Sequence, residues 1–174
     1  MPVEQLKDVL PKSDALSPAE IEAKAESLGV TKTSMSFIQS FMLSIMAGAF
    51  IAMGAMFFLL VSGDPDLPFA VQRVLGGALF SLGLLLVVVC GAELFTGNTM
   101  IVMSAASKKI SWGAVLKNWV VVFVGNFVGA LIIVGLVYLS GMHTMNGGIV
   151  GSTMVSVASS KMTPDWVTLF AKGI

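Results

Sequence analysis

Charge is what this sequence has least of. Only 11% of its 174 residues are Asp, Glu, Lys or Arg, against roughly a quarter in an ordinary soluble domain. The 10 basic and 10 acidic residues cancel to a formal net charge of zero, which excludes the basic footprint of a nucleic-acid binder. There is one cysteine, Cys90. It cannot form an internal disulfide, and its place in an apolar run reads as a buried packing thiol. There is one histidine, His143, read as a surface loop residue, so no histidine pair is available to a metal. No HExxH, no glycine-rich phosphate loop and no paired intramembrane acids occur, so catalytic residues, a metal site, a cofactor and an enzymatic role find no support. No basic n-region with a short apolar core follows Met1, so no cleavable signal is expected and the first span serves as the insertion signal.

What fills the space is apolar: 56% of residues are hydrophobic and the mean hydropathy is +0.91. Six of the acids (Glu4, Asp8, Asp14, Glu20, Glu22, Glu26) precede Gly29. No charge occurs in residues 33–63, 74–92 or 118–160. A membrane-crossing helix needs about 20 apolar residues, and each run can hold one. The chain is therefore expected to be a multi-pass, all-α membrane protein whose constant partner is the lipid bilayer.

Residues 1–33 form a polar preface, and residues 34–174 the transmembrane part. Within the preface, Ser17-Pro18-Ala19-Glu20 predicts a helix start, with Ser17 as N-cap, Pro18 at the first helical position and Glu20 closing a capping box. Gly29 offers a stop. The first span is expected over about 36–62, rich in small residues (Ala47, Gly48, Ala49, Ala52, Gly54, Ala55) that let helix backbones approach closely. The turn 63–68 follows. A third span is expected over about 112–140, with Gly125 and Gly129 as a GxxxG pair that one intramolecular neighbour would satisfy. A polar, small-residue segment, 141–161, comes next, and a last apolar run begins near Pro164. Lysines set the orientation: Lys7, Lys12, Lys24, Lys32, Lys108, Lys109 and Lys117 fall on one side, Arg73 and Lys161 on the other. The positive-inside rule then places the N-terminus in the cytoplasm and 141–161 outside. Trp112 and Trp166 fall at expected interfaces, whereas Trp119 lies a turn or two inside.

The second hydrophobic stretch, 74–107, is too long for one straight span. In its middle stands Gly91-Ala92-Glu93-Leu94-Phe95-Thr96-Gly97-Asn98-Thr99. An acid, an amide and two hydroxyls are costly at membrane depth, and irregular backbone survives there only where protein or water satisfies it. Two readings stand: a broken span, the usual pointer to a substrate site, or a helix that ends near Gly91 with an interfacial helix after it. The first is preferred. Glu93 is read as a structural partner to backbone or a neighbouring helix rather than a proton carrier.

The run from Cys90 to Met100 resembles the signature of the formate/nitrite transporter family. Ala47-Gly48-Ala49-Phe50, Gly76-Gly77 with Phe80-Ser81-Leu82-Gly83-Leu84, Lys117-Asn118-Trp119 and Gly125-Asn126-Phe127-Val128-Gly129-Ala130 agree in order and spacing. The resemblance implies an aquaporin-like channel fold of two inverted three-helix halves, of which this chain carries the first. It implies a homopentamer in the cell (inner) membrane with one pore per protomer. The expected substrate is a small monovalent anion, formate first, with nitrite or hydrosulfide as alternatives. By the same resemblance Phe80, Leu84 and Leu94 form the pore constriction, Thr96 meets the anion, and Lys161 draws anions into the vestibule. Without it, Phe80 and Leu84 would read as packing residues and Lys161 as a solvated loop lysine.

The family's pore histidine belongs to a fifth helix, and this sequence reaches only the start of a fourth. A truncated sequence, a fragment gene, or half of a channel completed by another chain would each account for this, the first being preferred. A non-conducting packing or regulatory subunit is the rival to the channel.

Overall fold

The computed structural model describes residues 15–162 and 165–173. The expectations for Glu4, Asp8, Asp14, Lys7, Lys12, Pro164 and the chain end at Ile174 lie outside these residues. The described elements are α1 (Pro18–Ser34), α2 (Phe37–Ser62), α3 (Phe69–Cys90), the short α4 (Phe95–Asn98) and α5 (Ile101–Ala106), α6 (Trp112–Leu139), two 3-10 turns, α7 (Ile149–Met162) and α8 (Trp166–Gly173). Among the described residues three helices, α2, α3 and α6, are long and apolar enough to cross a membrane.

Serine caps start the helices on the lysine-rich side. Ser17 Oγ accepts the Glu20 N–H while the Glu20 carboxylate accepts the Ser17 N–H at 2.7 Å, completing the capping box. Ser36 and Ser111 cap α2 and α6 in the same way, through Gln39 and Ala114, each at 3.2 Å. Each cap satisfies one N–H that a helix start leaves open.

Gly29 does not end α1, which runs on to Ser34. A Cβ at Gly29 would strike Ser104 on α5, so the glycine serves close approach between helices rather than termination. The second span also begins earlier than its charge-free core, at Phe69. Arg73 is accommodated because its guanidinium lies 5.0 Å from the Phe69 ring centroid, a cation–π contact.

The central span is α2, packed between α3 and α6. On the α6 side the two backbones nearly touch: a Cβ on Gly125 or Gly129 would strike Ser44 or Ile45, and one on Gly48 would strike Asn126. The GxxxG pair is thus used within the chain. On the other side Gly54 and Gly83 face each other, with Phe80 and Phe50 carbonyls against them. Small residues do this work because lipid supplies no hydrophobic drive between helices, leaving van der Waals contact of close backbones.

Two further expectations change. Cys90 is exposed, not buried, because it closes the free face of α3 beside the exposed Val88 and Val89. His143 is half-buried in a 3-10 turn, stacked on Tyr138 with ring centroids 5.0 Å apart, and its Nδ1 is enclosed without a hydrogen-bond partner among the described residues. The segment 141–161 proves largely helical, as two turns and α7.

Candidate functional site

The break is built from Gly91 onward. Gly91 adopts φ 62°, ψ 32°, the left-handed region that suits glycine. Its N–H reaches the Val88 carbonyl at 3.3 Å, and the Ala92 N–H reaches that of Val87 at 2.9 Å. This pair is the Schellman closure of a helix, so α3 ends with its last carbonyls satisfied. The chain then runs extended through Leu94 (φ −101°, ψ 133°) before α4 begins.

Irregular backbone at depth needs partners from elsewhere, and two come from one side chain that also holds α2. Asn126 Oδ1 accepts the Phe95 N–H at 2.9 Å, and its Nδ2 donates to the carbonyls of Glu93 (2.9 Å) and Ser44 (2.8 Å). The Glu93 N–H donates to the Leu43 carbonyl at 3.2 Å. Asn126 lies 14 residues after the first residue of the 28-residue α6, about 21 Å along its axis at 1.5 Å per residue. The break therefore sits at mid-span, and from it α4 and α5 return to the lysine-rich loop 107–111. The broken-span reading holds; the interfacial-helix reading does not.

Beneath the break lies a polar cluster that is nearly dry: Glu93 is 4% exposed, Asn98 0% and Asn118 7%. Lys32, from the end of α1, donates to Glu93 Oε1 at 2.9 Å and Asn98 Oδ1 at 2.7 Å. Asn98 Nδ2 donates to Glu93 Oε2 at 2.7 Å and Asn118 Oδ1 at 2.9 Å. Trp119 Nε1 closes the ring on the Asn98 carbonyl at 2.9 Å. A buried carboxylate persists when it is paired and its oxygens are hydrogen-bonded, and both Glu93 oxygens are. Glu93 is thus the structural partner expected from the sequence. Lys32, Asn98, Asn118 and Asn126 went unread as members of one cluster. The signal for them was present, since amides in charge-free apolar runs need partners.

A second tie holds α1 to α5. Lys109 Nζ and Ser107 Oγ both donate to the Glu26 carboxylate, and Ser104 Oγ donates to the Glu26 carbonyl at 2.8 Å. The Lys109 ammonium and then the Ser107 hydroxyl hold the Glu26 carboxyl below its ordinary range, against the opposing effect of burial.

Above the break two grooves adjoin along α2, sharing Ala55. One, of about 480 Å³, is lined by Leu94 and Thr96 with Gly48, Ile51, Phe123 and Phe127 among others. The other, of about 570 Å³, is lined by Phe80 and Lys161 with Phe58, Gly77, Met154 and Val157. The structure so brings Leu94 to Thr96 and Phe80 to Lys161. Leu84 is half exposed and lines neither groove. Aromatic rings wall the first groove: Phe95 meets Trp119 and Phe123 edge-on, with centroids 6.2 and 5.7 Å apart. Phe58 meets Phe80 edge-on at 6.5 Å. Phe95, unread from the sequence as a wall residue, is fixed by its N–H on Asn126. Thr96 and Lys161 are exposed, and Lys161 makes no ion pair among the described residues.

The profile described as formate/nitrite transporter matches residues 19–174. The chain is 40% identical over 162 residues to the formate channel FocA of Escherichia coli strain K12, covering 92% of this chain and 57% of that one. It thus spans about half the length of the curated relatives it matches, 44% to 57%. A solved structure titled "Pentameric formate channel with formate bound" superposes with TM-score 0.66 at 36% identity, covering 74% of this chain and 51% of that one. Another, an FNT family ion channel, gives TM-score 0.77 at 26% identity over 87% of this chain and 61% of that one. The architecture is that of an all-α, aquaporin-like membrane channel fold. With three spans, the second broken at mid-depth, and the profile matched over most of its length, the chain belongs to the formate/nitrite transporter family.

Proposed function

We propose that residues 34–174 form one wall of a channel for small monovalent anions, formate foremost, with nitrite and hydrosulfide as candidate substrates of the same size and charge. In this reading the protein assembles as a homopentamer in the cell (inner) membrane, with residues 1–33 in the cytoplasm. It acts by passage rather than by catalysis. The observation that carries the proposal is the mid-span break, buttressed from below by Glu93, Asn98 and Asn126 and open above to two adjoining grooves.

The chemistry supports an anion. Lys161 gives the outer groove an uncompensated positive charge, which raises the local concentration of anions. Phe80 and Leu94 present apolar walls that strip hydration, and the Thr96 hydroxyl replaces part of it. Glu93, the one acid at this depth, is neutralised by Lys32, so the path does not carry its charge. Leu84, at helical spacing from Phe80, fits the constriction only if another surface closes against α3.

Proteoliposomes in which both walls of the channel are present are expected to take up formate down its gradient. Lys161→Ala should lower the flux on the order of tenfold at low salt and by less at high salt, as screening predicts, while Lys161→Arg retains it. Unchanged flux in Lys161→Ala would remove the vestibule role. No formate flux in any preparation would leave the rival reading, a non-conducting subunit.

A further inference from the structure

A pocket at the lysine-rich end of the α2–α6 pair, away from the grooves, has chemistry of its own. It measures about 170 Å³ and lies where α2 and α6 both begin, lined by Thr33, Phe37, Ser40, Ala114, Lys117 and Val121 among others. Its neighbours Lys32 and Asn118 have committed side chains: Lys32 Nζ is held by Glu93 and Asn98, and Asn118 by Asn98 and the Lys32 carbonyl. Thr33 Oγ1 donates to the Gly29 and Val30 carbonyls. Two polar groups remain uncommitted. Lys117 is exposed and makes no ion pair among the described residues. Ser40 is 94% buried, being 6% exposed, and its hydroxyl has no hydrogen-bond partner among the described residues, although its carbonyl accepts from Ser44. The Ser40 hydroxyl, accessible at the pocket wall of an otherwise buried residue, can donate there to an acceptor that the chain itself does not supply.

Depth narrows the class of ligand. Lys117 stands five residues after Trp112, about 7.5 Å along α6, and Trp112 is 61% exposed as an interfacial tryptophan is. The pocket thus lies at headgroup level. From Lys117 the same face of α6 continues with Val121 and Val124, at i+4 and i+7, and Val124 is 44% exposed. On the facing helix Phe37 is 58% exposed and stacked on Phe41, with centroids 5.6 Å apart. A pocket edged by Lys117 and Ser40, with room for one phosphate, therefore adjoins an apolar track on α6. We infer that this pocket binds the phosphate of an anionic phospholipid, with Lys117 and Ser40 as its ligands and an acyl chain along Val121 and Val124.

Native mass spectrometry of the purified protein, titrated with phosphatidylglycerol or phosphatidylcholine, tests this. The wild type should retain phosphatidylglycerol in preference to phosphatidylcholine. Lys117→Gln should weaken the first phosphatidylglycerol by about fivefold, the equivalent of one basic contact at a membrane surface. Ser40→Ala should weaken it by a smaller factor, and Lys117→Arg should preserve it. Lys108→Gln, in the loop outside the pocket, should change nothing. Equal binding by wild type and Lys117→Gln would overturn the inference, as would an equal loss in Lys108→Gln. Displacement of the lipid by millimolar inorganic phosphate would also overturn it, by making the pocket a site for free anion. Circular dichroism of each variant separates lost binding from lost folding.

Discussion

Among the described side chains, Asn126 makes the most hydrogen bonds to backbone groups. It satisfies the Phe95 N–H and the Glu93 and Ser44 carbonyls at once, tying α2, the break and α6 together. A buried donor left unpaired costs about 1–3 kcal/mol. Asn126→Ala orphans one donor and removes two acceptor contacts, so destabilisation at or above the top of that range is expected in detergent unfolding. Asn126→Asp cannot donate to either carbonyl and should rescue little. A loss below 1 kcal/mol would mean that water replaces the amide. Lys32 and Glu93 allow a sharper comparison. Removing one partner strands a buried charge, whereas replacing both by apolar groups does not. Lys32→Met with Glu93→Leu should therefore be less destabilised than the sum of the two single variants. Additivity would show that the pair does not interact.

At the scale of elements, glycine positions separate contact from mere composition. Gly129 has no room for a Cβ against Ile45, whereas Gly135, in the same helix, has nothing within 4 Å. Gly129→Ala should force α2 and α6 apart and lower the unfolding temperature; Gly135→Ala should not lower it. A similar loss in both would contradict the packing described. The tie between α1 and α5 carries a pH dependence. Because the Glu26 carboxyl is held below its ordinary value by Lys109 and Ser107, its contribution is complete above the unfolded carboxylate pKa, about 4.3. It is lost as pH falls through the lower folded value. Hydrogen exchange of α1 should accelerate only under those acidic conditions, and Glu26→Gln should bring the acceleration to neutral pH. Much of this was legible in the sequence. Caps, charge-free runs and the crowd of polar residues at Gly91–Thr99 are local signals, and they placed α2, α6 and the break to within a residue or two. What escaped was set by contacts between distant residues. Gly29 reads as a stop until Ser104 packs against it; Lys32 reads as a surface lysine until it reaches Glu93, 61 residues away. Cys90 reads as buried because an apolar run does not show which of its faces is covered. Of the site residues, Phe80 and Leu84 stand one turn apart on one helix, but only the fold shows Phe80 and Lys161 lining one groove that Leu84 does not reach.

The described residues as a whole form three spans with one dry, hydrogen-bonded side and one open side. Glu93, Asn98, Asn118 and Asn126 consolidate the first; Phe80, Leu94, Thr96 and Lys161 face the second. In the channel reading the open side is wet, whereas the exposed face of α3 around Val89, 75% exposed, meets lipid. The difference can be read with a thiol, since only the thiolate reacts and it forms where water reaches. In a Cys90→Ala background, Thr96→Cys and Val89→Cys are placed one at a time in the membrane-embedded protein and treated with a small methanethiosulfonate, with and without formate. Thr96→Cys should react readily and be slowed by formate, and Val89→Cys should stay inert. Thr96→Cys as inert as Val89→Cys, or reacting at a rate indifferent to formate, would contradict an anion path along this face.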